Sequence, residues 1–275
     1  MASKTILKGL PGLQKWPEKF KDVTVLCGDE TFELHKVVLC SNSEFFTKAF
    51  CGYFAEPNDS QINLHEEDAE TFERLVQFCY TGTYIDCTAG SEQEGERVKL
   101  DHGDESIGSQ LETPLAPPKE ILEPLRSTLV AGKVYIMAER LLMPAAKIFA
   151  LERFRAGVDE LLLWTGLLHT GPEWIDLIDR IYTDLLETDI AIKEPTCRLI
   201  AWRRLDSWFL DLLGPLMRRH GALAAGVTNY INLLIPYNHF SGKGKRGDAF
   251  GESVRKDLTE DMRRVWMEME RKQCG

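Results

Sequence analysis

The chain has 275 residues, of which 44% are hydrophobic and 28% charged, so it can form a globular protein with two modest domains. Its net charge of -10 argues against broad nucleic-acid binding, because phosphate contacts need a basic surface. No apolar run is long enough to span a bilayer, and the first residues lack the apolar core of a signal peptide. We therefore expect protein partners and neither a nucleic acid nor a membrane.

The seven cysteines are odd in number and include no Cys-x-x-Cys pair. This spacing argues against a disulfide framework and against a zinc site, and it favours free, buried thiols in a reducing compartment. We predict an intracellular protein, cytoplasmic or nuclear, with no metal and no cofactor.

The first ordered pattern lies in residues 22–84. Val23, Val25 and Cys27 alternate on one face of a strand, and a turn at Gly28 leads to a second strand, which predicts an antiparallel hairpin. A short apolar helix then opens at His35-Lys36 and runs from Val37 to Cys40.

Ser43 has the chemistry of an N-cap for a helix from Glu44 to Phe50, and Ile62 and Leu64 predict a third short strand. Asp68 caps a further helix that ends at Gly82, which suits a left-handed C-cap. The spacing of residues on this helix predicts one apolar face and one face exposed to water. The stripe holds Phe72, Leu75, Val76 and Cys79, and the residues expected to face water are Glu73, Arg74 and Gln77.

This ordered set resembles the BTB/POZ domain. The residues that carry the resemblance are Asp22, Val23, Val25, Phe32, Leu34, His35, Lys36, Leu39, Ser43, Phe46, Phe50, Ile62, Leu64, Phe72, Phe78, Tyr80, Thr81, Gly82 and Tyr84. The resemblance implies an α+β fold, a small sheet flanked by helical hairpins, with Asp22, His35 and Gly82 as structural residues. A helix through Val130, Val134, Met137 and Leu141 resembles the family's next helix. Another begins at Pro144, where Ile148, Leu151 and Phe154 can pack.

We divide the chain into an N-terminal extension (1–20), a BTB/POZ domain (21–156), an all-helical region (157–239) and a loose segment with a charged terminal helix (240–275). The domain is interrupted by an acidic insertion at about 86–120, where eight acidic residues up to Thr113 oppose only Arg97 and Lys99. We interpret the insertion as a mobile, solvated loop, and an acidic docking segment for a basic partner is the alternative.

The second half has helical spacing with apolar stripes. The first two stripes contain Leu161, Trp164 and Leu168, and then Trp174, Leu177, Ile178 and Ile181. A third predicted helix carries Leu199, Trp202, Leu205 and Phe209 and ends near Gly214-Pro215. The last apolar segment runs from Leu223 to Ile235, before Pro236. We interpret the tryptophans as core residues and not as a ligand site. The sequence contains no repeat, which excludes a kelch-like propeller, and no phosphate loop or nucleophile elbow, so we predict that the chain is not an enzyme.

The outward-facing motif of the BTB-like segment is Phe54-Ala55-Glu56. In BTB adaptors that recruit a cullin ubiquitin-ligase scaffold, a hydrophobic-x-Glu motif follows the helix that here ends near Phe50. The resemblance thus implies a partner-binding set of Phe50, Tyr53, Phe54 and Glu56. The alternative is that Tyr53 and Phe54 pack under the loop.

The resemblance also implies a homodimer. Leu7, Leu10 and Leu13 offer a short apolar patch for it, although prolines interrupt this segment and argue against a full swapped helix. We predict a protein-interaction adaptor, in its most specific form a substrate-recruiting subunit of a cullin ubiquitin ligase. The alternative is an oligomerisation scaffold in a regulatory or transcriptional complex. The arrangement is similar to stand-alone BTB proteins of filamentous fungi.

Overall fold

The computed structural model describes residues 20–51, 60–65, 67–86, 119–163, 172–202 and 207–238. Within them lie three strands, β1 Val23–Cys27, β2 Glu30–Leu34 and β3 Gln61–Leu64. The helices in the same residues are α1 Lys36–Asn42, α2 Glu44–Cys51, α3 Ala69–Thr81, α4 Lys119–Arg140, α5 Pro144–Leu163, α6 Pro172–Thr183, α7 Ile190–Trp202, α8 Ser207–Arg219 and α9 Gly221–Asn238.

The small sheet has the order β2-β1-β3. Strand β1 pairs antiparallel with β2 and parallel with β3, so the predicted hairpin and third strand are confirmed. Gly28 turns the hairpin with a φ of 54°, a conformation that glycine adopts without the strain of a side chain. Val25 faces Phe32 across the hairpin, and both are fully buried. The fold is α+β, as predicted.

Helices α1 to α3 cover the sheet through an aromatic core. The rings of Phe32 and Phe72 meet edge to face at 4.9 Å, and Phe46 packs against Phe72. Both predicted caps of α3 are confirmed. The Asp68 carboxylate accepts the Thr71 backbone N–H at 3.0 Å, and Gly82 takes a left-handed φ of 73°.

The prediction that Arg74 and Gln77 face water is wrong. Their exposed fractions are 4% and 9%, because the chain after Gly82 folds back along α3 and covers them. Arg74 donates to the Asp86 carbonyl, and the Gln77 side chain accepts the Ile85 N–H, so this returning segment satisfies both polar groups.

Helices α4 and α5 form a hairpin in close contact. Gly157 lies against Thr128, where an added Cβ would come within 2.0 Å of the Thr128 hydroxyl. Pro144 begins α5 as predicted, but Ile148 is 60% exposed and does not pack. The buried face of α5 runs through residues such as Ala146, Ala150 and Phe154, and Ile148 lies on the opposite side.

Helices α6 and α7 share one hydrophobic core with the sheet and with α1 to α5. A second cluster of buried residues joins α6 and α7 to α8 and α9. The stripe on α6 is confirmed, since its members are all buried: Trp174, Leu177, Ile178 and Ile181. None of the described helices is long and apolar enough to cross a bilayer.

One predicted helix end in this half is wrong, the end near Gly214-Pro215. Leu199 lies on α7 and Phe209 on α8, and residues 203–206 between these two elements lie outside the described residues. Helix α8 continues through Gly214-Pro215, and α9 continues through Pro236. A proline in a helix removes one hydrogen bond, and packing of neighbours such as the buried Leu213 and Leu216 offsets that cost. Trp164, Leu168, the acidic residues 87–118 and the predicted terminal helix lie outside the described residues.

Candidate protein-interaction site

Segment 52–59 connects helix α2 to strand β3, and both of its ends are fixed to ordered elements. Helix α2 ends at Cys51, and β3 begins at Gln61 beside Thr24 of β1. The Thr24 N–H donates to the Ser60 carbonyl at 2.7 Å and so fixes the far end of the segment to the sheet. The segment that contains the predicted motif is thus attached at both ends to ordered structure.

A chain of three residues fixes the near end of this segment. The Asp22 carboxylate accepts the backbone N–H of Lys36 at 2.6 Å, at the start of α1. The Lys36 ammonium donates to the Phe50 carbonyl at 2.9 Å and lies 5.7 Å from the centroid of the Phe50 ring. A cation at a helix C-terminus is favourable because the last carbonyls carry partial negative charge. The end of α2 is therefore held by α1 and by the start of β1.

Phe50, one of the four residues of the predicted partner-binding set, is buried. Phe50 is only 4% exposed and stacks on Phe46 with a centroid distance of 6.0 Å. Its ring belongs to the core. Tyr53, Phe54 and Glu56 lie outside the described residues, so their binding role stays a prediction.

His35 links the end of β2 to α3. Its backbone N–H donates to the Tyr80 hydroxyl at 3.1 Å, and that hydroxyl lies 2.6 Å from His35 Nδ1, to which it can donate. Burial raises the pKa of Tyr80 to about 12, so the phenol keeps its proton at neutral pH. These contacts join the end of β2 to α3.

Two residues near the site were missed at the level of sequence. Lys36 was expected only to open α1, yet its side chain holds the end of α2. A lysine in the first turn of a helix is disfavoured by the helix dipole, and this mismatch could have indicated a second role. Val37, the next residue, is 66% exposed and adds an apolar side chain to the surface of α1.

The predicted dimer patch, Leu7, Leu10 and Leu13, also lies outside the described residues and stays a prediction. Among the residues that the structure describes, no group of three or more His, Cys, Asp or Glu side chains could hold a metal ion. The described residues at this end of the molecule thus fix the two ends of segment 52–59.

Comparison with known proteins agrees with this architecture. Residues 12–96 match the family model of the BTB/POZ domain. The chain contains a BTB/POZ domain. The match covers the sheet, α1 to α3 and the site, and it ends before α4.

Three similar relatives illustrate the range of proteins that share this domain. The chain is 38% identical over 77 residues to Kelch-like protein 21 of Danio rerio, covering 28% of this chain and 12% of the relative. It is 33% identical over 84 residues to BTB and MATH domain-containing protein 15 of Caenorhabditis elegans, covering 30% of each. It is 36% identical over 77 residues to Kelch-like protein 30 of Mus musculus, covering 28% of this chain and 13% of the relative. The aligned part spans less than a third of each relative.

Proposed function

We propose that this protein is an interaction adaptor that uses its BTB/POZ domain to bind protein partners. The observation that carries the proposal is the attachment of segment 52–59 to the domain, through Lys36 at the end of α2 and Thr24 at the start of β3. A segment whose two ends are fixed to the domain has less conformational freedom to lose on binding, which favours affinity. The relatives with similar domains include Kelch-like proteins, and the similarity to stand-alone fungal BTB proteins rests on the sequence pattern alone.

In its specific form, the proposal is that the partner is a cullin scaffold of a ubiquitin ligase. Phe54 would insert its ring into an apolar pocket of the cullin, and the Glu56 carboxylate would orient the contact from the rim. A buried aromatic anchor supplies most of the binding energy in many interfaces, whereas a rim charge acts mainly on association. The buried Phe50 lies four positions before Phe54, so the helix that leads to the motif is anchored in the core.

The test compares binding of purified cullin amino-terminal domains to the full chain and to the double variant Phe54→Ala/Glu56→Ala. We expect at least about tenfold weaker binding of the variant, as loss of an anchor residue implies. The measurement is isothermal titration calorimetry, with circular dichroism to show that the variant remains folded.

The matched control is Leu186→Ala/Glu187→Ala, which also removes an exposed apolar side chain and a glutamate. Both residues lie between α6 and α7, and Leu186 is 70% exposed. This control is expected to bind like the wild type. Binding that is absent from the wild type, or equal in both double variants, would contradict the cullin proposal and favour the oligomerisation scaffold.

A further inference from the structure

The last turn of helix α2 is stabilised from outside the helix. The final carbonyls of a helix have no donor within it, and here the Phe50 carbonyl accepts a hydrogen bond from the Lys36 ammonium of α1 at 2.9 Å. Lys48, the basic residue in the last turn of α2 itself, is 68% exposed, and its ammonium pairs with Glu44, one turn back, at 2.8 Å. The cation at the Phe50 carbonyl therefore comes from α1.

Lys36 is poorly placed for the helix in which it lies. It is the first residue of α1, where its charge opposes the positive end of the helix dipole. The first turn of α1 has no acidic residue, and its N-cap, His35, makes no side-chain cap bond. The Asp22 carboxylate accepts the Lys36 backbone N–H at 2.6 Å and offsets part of this cost. The lysine ammonium thus stabilises α2 and not its own helix.

The side chain of Lys36 contacts Phe50 in two ways. Its ammonium donates to the carbonyl oxygen and lies 5.7 Å from the centroid of the ring. The ring is buried in the core, so the two contacts fix the last turn of α2 relative to the core. Segment 52–59 continues directly from this turn. Lys36 therefore acts on the segment through Phe50 and needs no contact with a partner.

We propose that Lys36 is a positioning residue for partner binding, because it fixes the last turn of α2, from which segment 52–59 continues. This role rests on the proposed function, since it concerns the same segment. The two ends of the segment differ. The far end is held by a bond between backbone groups of Thr24 and Ser60, whereas the near end depends on one side chain. Without the Lys36 ammonium, a partner must order the near end on binding, and that ordering reduces affinity.

Amide hydrogen exchange of the full-length protein, measured by mass spectrometry, tests the first step. In Lys36→Met, we expect exchange in residues 48–51 to become at least about fivefold faster, because the charge-assisted bond to the Phe50 carbonyl is lost. Exchange in α3 should stay unchanged. Lys36→Arg keeps a cation and its donors and is expected to exchange like the wild type. The matched control Lys48→Met removes the other lysine at this end of α2 and is expected to change exchange by less than about twofold.

Binding of a purified cullin amino-terminal domain, measured by isothermal titration calorimetry, tests the second step. We expect Lys36→Met to bind about threefold to tenfold more weakly than the wild type, and Lys36→Arg to restore the affinity. Circular dichroism shows whether each variant is folded. Restoration by arginine identifies the ammonium contact as the cause, since a loss due to altered packing would persist with the larger side chain.

The two measurements separate this role from the proposed function. Equal exchange of residues 48–51 in Lys36→Met and the wild type overturns the role of Lys36, whether or not cullin binds. Faster exchange with unchanged affinity for cullin overturns its role in binding. Absence of cullin binding by the wild type contradicts the cullin proposal alone, and the exchange rates still decide whether Lys36 fixes the end of α2.

Discussion

The BTB/POZ domain and the helical second half use polar side chains in different ways. In the domain, helix caps are formed by short polar groups whose backbone partner is close in sequence: the Ser43 hydroxyl accepts the Phe46 N–H, and the Asp68 carboxylate accepts the Thr71 N–H, each three residues along the chain. In the second half, long charged groups join helices that are far apart in sequence. Helix caps can therefore be predicted from the nearby sequence, whereas the charged contacts between distant helices depend on the whole fold.

The clearest long-range group surrounds Arg198 of α7, which is fully buried. Its guanidinium donates to Asp159 of α5 at 2.8 Å and lies 3.5 Å from the carboxylate of Glu194. Tyr230 of α9 donates to that same carboxylate at 2.7 Å, and burial, with the charge of Glu194 next, raises the pKa of Tyr230. Three helices are therefore joined through one buried cation and one buried anion.

The largest expected effect comes from Arg198→Ala. This change removes the cation beside Glu194, which is itself buried, and an uncompensated buried charge costs about 3–5 kcal/mol of unfolding free energy. The measurement is urea unfolding followed by circular dichroism, with the midpoint and slope compared between variant and wild type.

The control for this change is Arg219→Ala. Arg219 also pairs with a carboxylate, Asp179, but its side chain is 64% exposed, so the expected loss is within about 1 kcal/mol. The double variant Arg198→Met/Glu194→Gln should recover part of the loss, because it removes both buried charges. Equal losses for Arg198→Ala and Arg219→Ala would contradict the distinction between buried and surface pairs.

The same distinction explains what could be predicted from the sequence. Caps such as Ser43, Asp68 and Gly82 depend on neighbours within a few residues, so their positions were predicted from residue chemistry and periodicity. The burial of Arg74 depends on the returning segment at Asp86 and has no local signal. Similarly, the continuation of α8 through Pro215 depends on packing against other helices.

The site could be compared with the sequence only in part, because the motif after α2 lies outside the described residues and stays a prediction. The sequence did not show that Phe50 is a core residue or that Lys36 holds the end of α2, because both depend on how α1 lies against α2.

An intermediate effect is expected for Ser43→Ala. The Ser43 hydroxyl accepts the Phe46 N–H at 3.1 Å and donates to the Leu141 carbonyl at 2.6 Å, so it caps α2 and joins it to the end of α4. Loss of an N-cap costs about 1 kcal/mol, and the buried Leu141 carbonyl adds to that figure. Urea unfolding measures the loss. Ser43→Thr keeps the hydroxyl and serves as control; a loss as large as for alanine would show that the hydroxyl is not the cause.

The smallest effect is expected at the surface of the second half, where Asp179 of α6 accepts from His220 and from Arg219, each at 2.7 Å. The hydrogen bond with His220, together with the Arg219 charge, holds the pKa of Asp179 below its ordinary value of 3.8. A carboxyl whose pKa is lower in the folded state stabilises the protein above its unfolded pKa, and that contribution disappears as pH falls through the folded pKa.

Asp179→Asn should therefore reduce stability at neutral pH by at most about 1 kcal/mol, and its difference from wild type should shrink below about pH 4. Thermal unfolding between neutral pH and about pH 3 measures both quantities. Asp176→Asn, an exposed change on the same helix, is expected to show no such pH dependence. A difference for Asp179→Asn that stays constant or grows in acid would mean that the carboxylate charge is not what stabilises this contact.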